Sequence, residues 1–589
     1  MSLSDNDLPE SARTTAANPD LPPFYYLDNF DQLLAQVLER YHDLLLADEL
    51  VLLTALMVLP ANSRGWFVRL HSRKGRLFRL DRLQYKELHS LSAAMVELAQ
   101  AGLIRLHPQG QQLLLPVADW SGLFNKSEWL VLLRQGELDL PSELARWKRP
   151  QLDEWLQQQA ELPLLPTTIA ELADPIEALL RLLRLLYFGN LNQSLTDFVL
   201  SDLGVYRYEK VLLDAETRLF ESRDQVLAHL NYYDCLPELD DWPKQLDSEQ
   251  LLALADSLPV LDNDPVLQRR VGRQWLKIAR QLERLGEDQQ ALALYRRVEL
   301  VPSRERQIRL LATTAPAEAL ELCRQIAVAP FNDEESRFLE GFLPRLLKKQ
   351  QQPAPDWFMP LPAWQEQRQE LVEADEQLLV AGQNIEAVAL QRLLQQRGGS
   401  GFYVENALFS SLFGLLFWDV IYAPVKGAFY HPFQLRPDDL YDENFAVIRA
   451  QRIAEVFDSL QSGDWQRQVL QRLEQKWATA NPFVYWTFMA EALASGCLQL
   501  AFERIPALHW QQIFERMLGD LKRRKTGLPD LVWFGEEDGY ELIEVKGPGD
   551  TLQPNQKSWL GFFRQQGVPA RVWYLVRSTG RPYQFHQNG

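Results

Sequence analysis

Cysteine is scarce in this chain of 589 residues, and its three copies lie far apart. Cys235, Cys323 and Cys497 form no CxxC pair. Neither a zinc site built on paired cysteines nor a disulfide framework is therefore expected. We expect all three to be small core residues in a reducing compartment.

Long apolar runs are also absent. No stretch reaches the ~18 consecutive apolar residues that a membrane crossing needs, so we expect no membrane partner. The segment 1–21 is polar and acidic and lacks the apolar region of a secretory signal. Its composition predicts a disordered lead-in.

Positive charge is in deficit: 61 Lys and Arg face 79 Asp and Glu, which gives a net charge of −18. This balance argues against a protein that coats nucleic acid indiscriminately. It still allows an enzyme that acts on DNA, provided that the basic residues cluster. The length predicts several domains, and the 46% hydrophobic content is ordinary for folded ones.

The first folded block, residues 22–120, has helical patterns followed by a short apolar strand, which is typical of a winged helix. Its segment 64–86 alternates basic and apolar residues. Two interpretations remain open: a solvated strand pair with basic outer faces, or a surface for DNA phosphates. Under the second interpretation, the contact residues are Arg73, Lys74 and Arg76.

Residues 121–245 begin with two short helical patterns, "KSEWLVLLRQ" and "RPQLDEWLQQ", joined by an extended turn. This arrangement resembles a SAP-type DNA-binding motif with a helical extension behind it. A plain helical hairpin is the alternative. In the SAP-like interpretation Lys126, Lys148 and Arg149 face phosphates.

Residues 246–369 have helical periodicity with repeated short breaks. One unit matches a tetratricopeptide repeat, with Trp275, Ala279, Gly286, Ala291 and Tyr295 at the expected spacing. Small residues at such positions let two helices approach closely, and large ones fill the gaps. We expect a helical scaffold rather than a site of chemistry.

Residues 370–589 open with helices and close with a strand, a turn, a strand, a helix and a strand. The predicted fold is therefore a mostly α multidomain protein with a C-terminal α/β domain. The first two strands, "PDLVWF" and "YELIEVK", flank the acidic turn "GEEDG".

That hairpin carries charge where a core is expected. With the turn centred on Glu537, Asp530 lies opposite Glu544, and strand alternation puts Lys546 on the same face. Opposed Cβ atoms are ~4.5–5.5 Å apart, so like charges there are destabilising unless a cation lies between them. A surface hairpin with a structural salt bridge from Lys546 is the alternative.

Converging carboxylates are the ligands that Mg²⁺ or Mn²⁺ prefers. Such a metal polarises a phosphate and activates water, and a lysine beside it offsets charge that develops on the phosphoryl oxygens. The backbone carbonyl of Val545 is a further candidate ligand. From geometry alone, a metal site and a structural salt bridge are supported almost equally.

The same residues resemble the VRR-NUC domain of the PD-(D/E)xK nuclease superfamily. "GLPDLVWF" and "ELIEVKGPGD" match, and Gln556 and Trp559 fall on the helix "NQKSWL" as in that domain. Upstream, Glu405 in "GFYVENALFSSLFGLLFWDVIY" matches a helix glutamate of the Fanconi-anaemia-associated nuclease family. The domain order is similar to that of the same family, and the chain is identified as a bacterial member.

The resemblance implies a structure-specific DNA nuclease that cuts 5′ flaps, has 5′→3′ exonuclease activity and acts in interstrand crosslink repair by two-metal-type hydrolysis. It implies Glu405, Asp530, Glu544 and Val545 as ligands of Mg²⁺ or Mn²⁺, Lys546 in support of the transition state, and Gln556 as a positioning residue. The implied partner is branched or flapped duplex DNA, and the implied location is the cytoplasm, at the nucleoid.

A basic run precedes the catalytic aspartate, and beside a phosphodiesterase site it favours contacts with the DNA backbone. It consists of Lys522, Arg523, Arg524 and Lys525. Two other functions stay open at this point: a resolvase of the Holliday-junction type, and a helical-repeat adaptor without catalysis that binds DNA or protein.

Overall fold

The computed structural model describes residues 22–135, 140–159, 162–199, 206–237, 242–358, 369–374, 385–547 and 549–577. The predicted lead-in 1–21 lies outside these residues. The described chain divides into two compact units, one with 22–199 and 213–230, the other with 206–212 and 231–577. None of the helices in the described ranges combines the length and apolar character that a membrane crossing requires.

The first unit begins with helices and a three-stranded sheet. In helix α1, buried Tyr26, Phe30, Leu33 and Val37 recur at helical spacing and form the face that meets the core. The unit contains helices α1 (Tyr25–Tyr41), α2 (Ala47–Val58), α3 (Ala61–His71), α4 (Leu91–Gln100) and α5 (Val117–Trp120), then α6 (Lys126–Gln135), α7 (Arg149–Gln157), α8 (Asp174–Phe188), α9 (Leu195–Val199) and the first part of α10 (Arg223–Cys235), up to residue 230.

Its antiparallel sheet has the order β1 (Leu77–Arg79), β3 (Ile169–Leu172) and β2 (Ile104–His107). The central strand carries Glu171, which is buried and is neutralised by Arg76 at 2.8 Å. The basic segment 64–86 contains the end of α3, the three-residue strand β1 and a short 3-10 turn at Leu80–Arg82. The alternative of a strand pair in this segment is therefore wrong, since β1 pairs with β3 instead.

Helices α6 and α7 form the predicted pair of the SAP-like region. They share a core around Trp120, Trp129 and Leu152, each of which is at most 2% exposed. Residues 136–139 of the connecting turn lie outside the described ranges. The helical prediction on both sides of the turn is confirmed.

The second unit starts with paired helices, as the repeat pattern predicts. Gly286, at φ +85°, ends one helix and lets the chain reverse into the next, where Ala291 and Tyr295 are buried. The helices are α11 (Ser248–Ser257), α12 (Pro265–Arg284), α13 (Asp288–Tyr295), α14 (Ser303–Thr314), α15 (Pro316–Val328) and α16 (Asp333–Gln350).

The rest of the second unit is a sheet with helices around it. The helices are α17 (Ile385–Arg397), α18 (Ala407–Leu416), α19 (Trp418–Ile421), α20 (Phe445–Ile448), α21 (Ala450–Ser462), α22 (Trp465–Gln475), α23 (Trp486–Ala494), α24 (Cys497–Arg504), α25 (Ala507–Leu518) and α26 (Pro554–Gln566). The strands are β4 (Gln369–Ala374), β5 (Ser400–Tyr403), β6 (Leu531–Phe534), β7 (Tyr540–Lys546) and β8 (Ala570–Arg577).

These strands form one sheet in the order β4-β8-β7-β6-β5. The two pairs β4–β8 and β8–β7 are parallel, and the two pairs on the other side are antiparallel. One face packs on α17, where Val388 and Leu393 meet Ile543, Val545 and Trp573. The predicted mostly α protein with a C-terminal α/β domain is confirmed.

Two details of the predictions are wrong. The segment from residue 370 opens with strand β4 rather than with a helix. Cys235 is only partly buried and donates its Sγ–H to the Ser257 carbonyl at 3.3 Å, whereas Cys323 and Cys497 are buried as expected.

Candidate active site

The acidic hairpin has the predicted register. Leu531 pairs with Ile543 and Phe534 with Tyr540, so that continuation of the ladder by one residue places Asp530 opposite Glu544. Both carboxylates therefore project from the face that also carries the buried side chains of Val532 and Leu542. The hairpin brings two carboxylates together at its end, away from the turn.

Asp530 is fixed by backbone on both sides. Its Oδ2 accepts the Val545 N–H at 2.8 Å, and its carbonyl accepts the N–H groups of Val404 and Glu405 at 2.8 and 2.9 Å. Burial raises the pKa of Asp530 to about 6, against the lowering effect of the Val545 N–H and of Lys546. The carboxylate is thus held in one orientation at the edge of β6.

Glu544 is the most unusual group of the site. It is 0% exposed, and its Oε1 forms an ion pair with the Lys546 ammonium at 2.8 Å, the salt bridge that the structural alternative expects. The angle of this contact does not meet hydrogen-bond geometry, and Oε2 accepts no hydrogen bond. Burial, followed by the charge of Asp530, raises the pKa of Glu544 to about 8. A buried carboxyl with unsatisfied oxygens is costly unless another group binds it.

Glu405 lies next to this pair but not on a helix. It follows strand β5 at φ +33° and precedes α18, so its expected position on a helix is wrong. The two hydrogen bonds to the Asp530 carbonyl hold the backbone here. The Tyr403 hydroxyl donates to Glu405 Oε2 at 2.5 Å, which keeps the exposed carboxylate beside the strand.

Sequence reasoning missed one carboxylate near the site, Glu386 in the first turn of α17. Its negative charge, added to the effect of burial, raises the pKa of Asp530 and of Tyr403. No motif marks Glu386 in the sequence. Only the contact of α17 with the sheet brings it to this edge.

Helix α26 supports the loop before Asp530. The Trp559 Nε1–H donates to the Thr526 carbonyl at 3.2 Å, and Gly527, at φ +85°, lies so close to Asn555 that a Cβ atom would be 2.7 Å from its Nδ2. Gln556 accepts the Gln553 N–H at 2.8 Å and so caps its own helix. In this conformation Gln556 makes no hydrogen bond to Asp530, Glu544 or Lys546.

The residues fit a divalent cation in part. Asp530 and Glu544 offer hard oxygen donors, and the buried oxygens of Glu544, which lack a hydrogen-bond donor in good geometry, suit a divalent cation. Within the described ranges, however, no three His, Cys, Asp or Glu side chains converge on one point. In this structure the Glu405 carboxylate accepts a hydrogen bond from the Tyr403 hydroxyl.

Four of the ten predicted DNA contacts have other partners. Arg76 and Arg149 bind Glu171 and Asp153 at 2.8 Å. Arg523 lies 2.7 Å from Glu334, and Arg524 pairs with Asp333, both acids being in the first turn of α16. These four arginines hold structure together, which leaves little of their charge for phosphates.

The other six basic candidates have no carboxylate partner among the described residues. Lys126 and Lys525 are partly buried and donate to neutral oxygens, those of Ala145 at 2.9 Å and Tyr441 at 3.3 Å. The exposed ones are Arg73, Lys74, Lys148 and Lys522.

Two family profiles match this chain. The one described as "FAN1, HTH domain" matches residues 24–105, and the VRR-NUC domain matches residues 461–576. The Fanconi-associated nuclease 1 homolog of Pseudomonas aeruginosa is 36% identical over 572 residues, which are 95% of this chain and 97% of that protein. The chain belongs to the Fanconi-associated nuclease family.

A solved structure agrees with this assignment. The crystal structure of paFAN1 bound to 2nt 5′ flap DNA with a gap has a TM-score of 0.72 and 35% identity, and the match covers 96% of this chain and all of that one. The Fanconi-associated nuclease 1 homolog of Arabidopsis thaliana is 24% identical over 93% of this chain and 66% of its own length. As a member of this family with a VRR-NUC domain, the chain is a DNA nuclease that depends on a divalent metal.

Proposed function

We propose that this nuclease hydrolyses phosphodiester bonds at 5′ flaps and related branched DNA, and that it uses Mg²⁺ or Mn²⁺. The observation that carries the proposal is the fully buried Glu544 carboxyl opposite Asp530, where two acidic groups converge on one lysine, Lys546, and Glu544 Oε2 accepts no hydrogen bond. The likeness to a protein crystallised with flap DNA supports the substrate. The 5′→3′ exonuclease activity and the role in crosslink repair belong to the same proposal.

The ligands that we assign are Asp530, Glu544 and the Val545 carbonyl, with Glu405 as the additional carboxylate. A bound divalent cation supplies a Lewis acid for the scissile phosphate and lowers the pKa of water. The hydrogen bond from the Val545 N–H keeps one oxygen of Asp530 in place. The Tyr403 hydroxyl donates to Glu405 Oε2, and it would give up this hydrogen bond if Glu405 bound the cation through the same oxygen.

Lys546 carries the positive charge of the site. It is 11% exposed on its side chain and extends from the same strand face as Glu544. From this position its ammonium offsets the negative charge that grows on the phosphoryl oxygens as water attacks. We keep Gln556 as a proposed positioning residue. It caps the start of α26, and α26 contacts the loop that precedes Asp530.

We assign the contacts with DNA phosphates to the six basic residues that have no carboxylate partner among the described residues. These are Arg73, Lys74, Lys126, Lys148, Lys522 and Lys525. The winged-helix-like block 22–120 and the SAP-like region 121–245 hold duplex arms. The repeats 246–369 act as a scaffold for the nuclease region 370–589. Backbone contacts of this kind position DNA without reading its sequence.

A cleavage assay on an end-labelled 5′ flap with Mn²⁺ tests the proposal. We expect Asp530→Asn and Lys546→Ala to abolish cleavage while the affinity for the flap, measured without divalent metal, stays within about twofold. The matched control is Asp538→Asn, on the exposed turn of the same hairpin, which should cleave normally.

Undiminished cleavage by Asp530→Asn would overturn the assignment of the site. Wild-type protein that binds the flap but never cuts it would favour the adaptor. Cleavage of a four-way junction in preference to the flap would favour the resolvase.

A further inference from the structure

Beside Glu405 lies a group of aromatic and basic side chains that the hydrolytic site does not use. Tyr485 is 38% exposed, and its ring makes no contact with another ring or a cation among the described residues. It precedes α23, and its N–H donates to the Ser411 hydroxyl at 3.0 Å. Ser411 lies in α18, the helix that begins just after Glu405.

The neighbouring residue of α18 holds the basic partner. The Ser410 hydroxyl donates to the Lys525 carbonyl at 3.3 Å, so adjacent serines of one helix anchor Tyr485 and Lys525. The Lys525 ammonium lies 3.3 Å from the Tyr441 hydroxyl. The guanidinium of Arg436 stacks over the Tyr441 ring at 4.4 Å.

Ser410 and Ser411 lie near the start of α18, which begins two residues after Glu405, and Lys525 precedes Asp530 by five residues. The anchors of the group therefore lie close to the carboxylates of the site. Neither Arg436 nor Lys525 forms an ion pair with a carboxylate in the described ranges. The group thus offers a partly exposed ring and two cations that pair with no carboxylate of the described residues.

We propose that Tyr485, Tyr441, Arg436 and Lys525 form a platform that binds one unpaired nucleotide next to the scissile phosphate. The base stacks on the Tyr485 ring, and the adjoining phosphate binds Arg436 and Lys525. Tyr441 keeps the two cations in place through its ring and its hydroxyl. The proposal deepens the nuclease function proposed above and rests on it for the location of the scissile bond.

The chemistry favours a nucleotide over other ligands. An exposed ring that stacks on nothing suits a flat base of any sequence, and stacking of this kind tolerates all four bases. Two cations beside it suit a phosphate rather than an apolar partner. A duplex end presents stacked and paired bases, so an unpaired nucleotide at a flap is the matching feature of branched DNA.

The test couples a change in the protein to a change in the DNA. A set of 5′ flaps carries a single abasic site at each nucleotide around the junction, and the Kd of each is measured without divalent metal. Stacking contributes ~1–3 kcal/mol per base, so Tyr485→Ala should weaken binding of the intact flap about tenfold. Tyr485→Phe keeps the ring and should bind like wild type.

At one position, the abasic site should weaken wild-type binding about tenfold and have no further effect on Tyr485→Ala. Additive effects at every position would overturn the proposal, and so would equal losses in Tyr485→Phe and Tyr485→Ala. Because binding is measured without metal, this result is independent of cleavage. The flap assay above decides the nuclease function separately.

The proposed phosphate contact of Arg436 is tested by the salt dependence of DNA binding. Arg436→Ala should reduce the slope of log Kd against log salt by about one, as expected when one phosphate contact is lost. The control is Arg467→Ala, an arginine with a side chain 79% exposed that pairs with the neighbouring Asp464. An unchanged slope for Arg436→Ala, equal to that of the control, would contradict the phosphate contact.

Discussion

Replacement of Glu544 by glutamine is predicted to stabilise the metal-free protein. A carboxyl whose pKa rises from 4.5 to about 8 on folding destabilises the folded state by about 3 kcal/mol at pH 7. Glutamine has the same shape and no charge, so Glu544→Gln removes most of this cost. Lys546 keeps Asp530 as a counter-charge.

The gain in stability from Glu544→Gln depends on pH. Between pH 4.5 and about 8 the folded protein retains the proton of Glu544 longer than the unfolded chain does, so wild-type stability falls as the pH rises through this window. At pH 5 the cost of Glu544 is about 1 kcal/mol, and the variant gains correspondingly little there.

Thermal unfolding in EDTA measures the effect. We expect the Tm of Glu544→Gln to exceed that of wild type by about 5 °C at pH 7.5, with a much smaller difference at pH 5. Added Mn²⁺ should raise the Tm of wild type alone, because a ligand stabilises only the state that binds it.

The matched control is Glu541→Gln on the same strand. Glu541 is also buried, but it lies 2.6 Å from both Arg397 and Arg571. Loss of these charged contacts should lower the Tm, since each contributes about 1.5–3 kcal/mol. A decrease for both variants, or an equal gain at pH 5 and 7.5 for Glu544→Gln, would refute the reasoning.

Three further outcomes are expected. Gly527→Ala should lower both Tm and cleavage rate, because its Cβ would meet Asn555 and its φ of +85° disfavours any side chain, a loss of about 1–3 kcal/mol in unfolding experiments. Lys522→Ala should reduce the salt dependence of DNA binding by about one unit of slope with Tm unchanged. Arg524→Ala should lower the Tm and leave the salt dependence of DNA binding unchanged, because Arg524 is paired with Asp333. If Arg524→Ala alone changed the salt dependence, the assignment of Lys522 to DNA and of Arg524 to the fold would be contradicted.

The hairpin shows what the sequence can predict. A two-strand pairing with a short turn has its register fixed by the position of the turn, so Asp530 opposite Glu544 follows from counting. The helix of Gln556 and Trp559 follows from its apolar spacing and Pro554 at its start. The helical pattern of residues 275–295 is equally local.

The edges of the sheet were less predictable. Strand β5 has only four residues and follows two glycines with φ of +65° and +72°, Gly398 and Gly399. Its pairing with β6 is a long-range contact that no local pattern encodes. Glu405 follows this strand, which explains why its placement on a helix was wrong.

Charge patterns were the least reliable guide to DNA contacts. A run such as residues 522–525 looks uniformly basic, yet Arg523 and Arg524 meet acids of α16 that lie about 190 residues away in sequence. Only tertiary contacts separate the arginines that hold the fold together from the lysines that remain for phosphate.

The position of the metal tests the account most directly. Crystals of this protein with a 5′ flap, soaked in Mn²⁺ and measured where manganese scatters anomalously, should show a peak between the carboxylates of Asp530 and Glu544. Glu405 should then have left Tyr403 for the metal. A saturating soak that gives no peak at this pair, or a peak only elsewhere in the protein, would contradict the claim that these carboxylates hold the metal for hydrolysis.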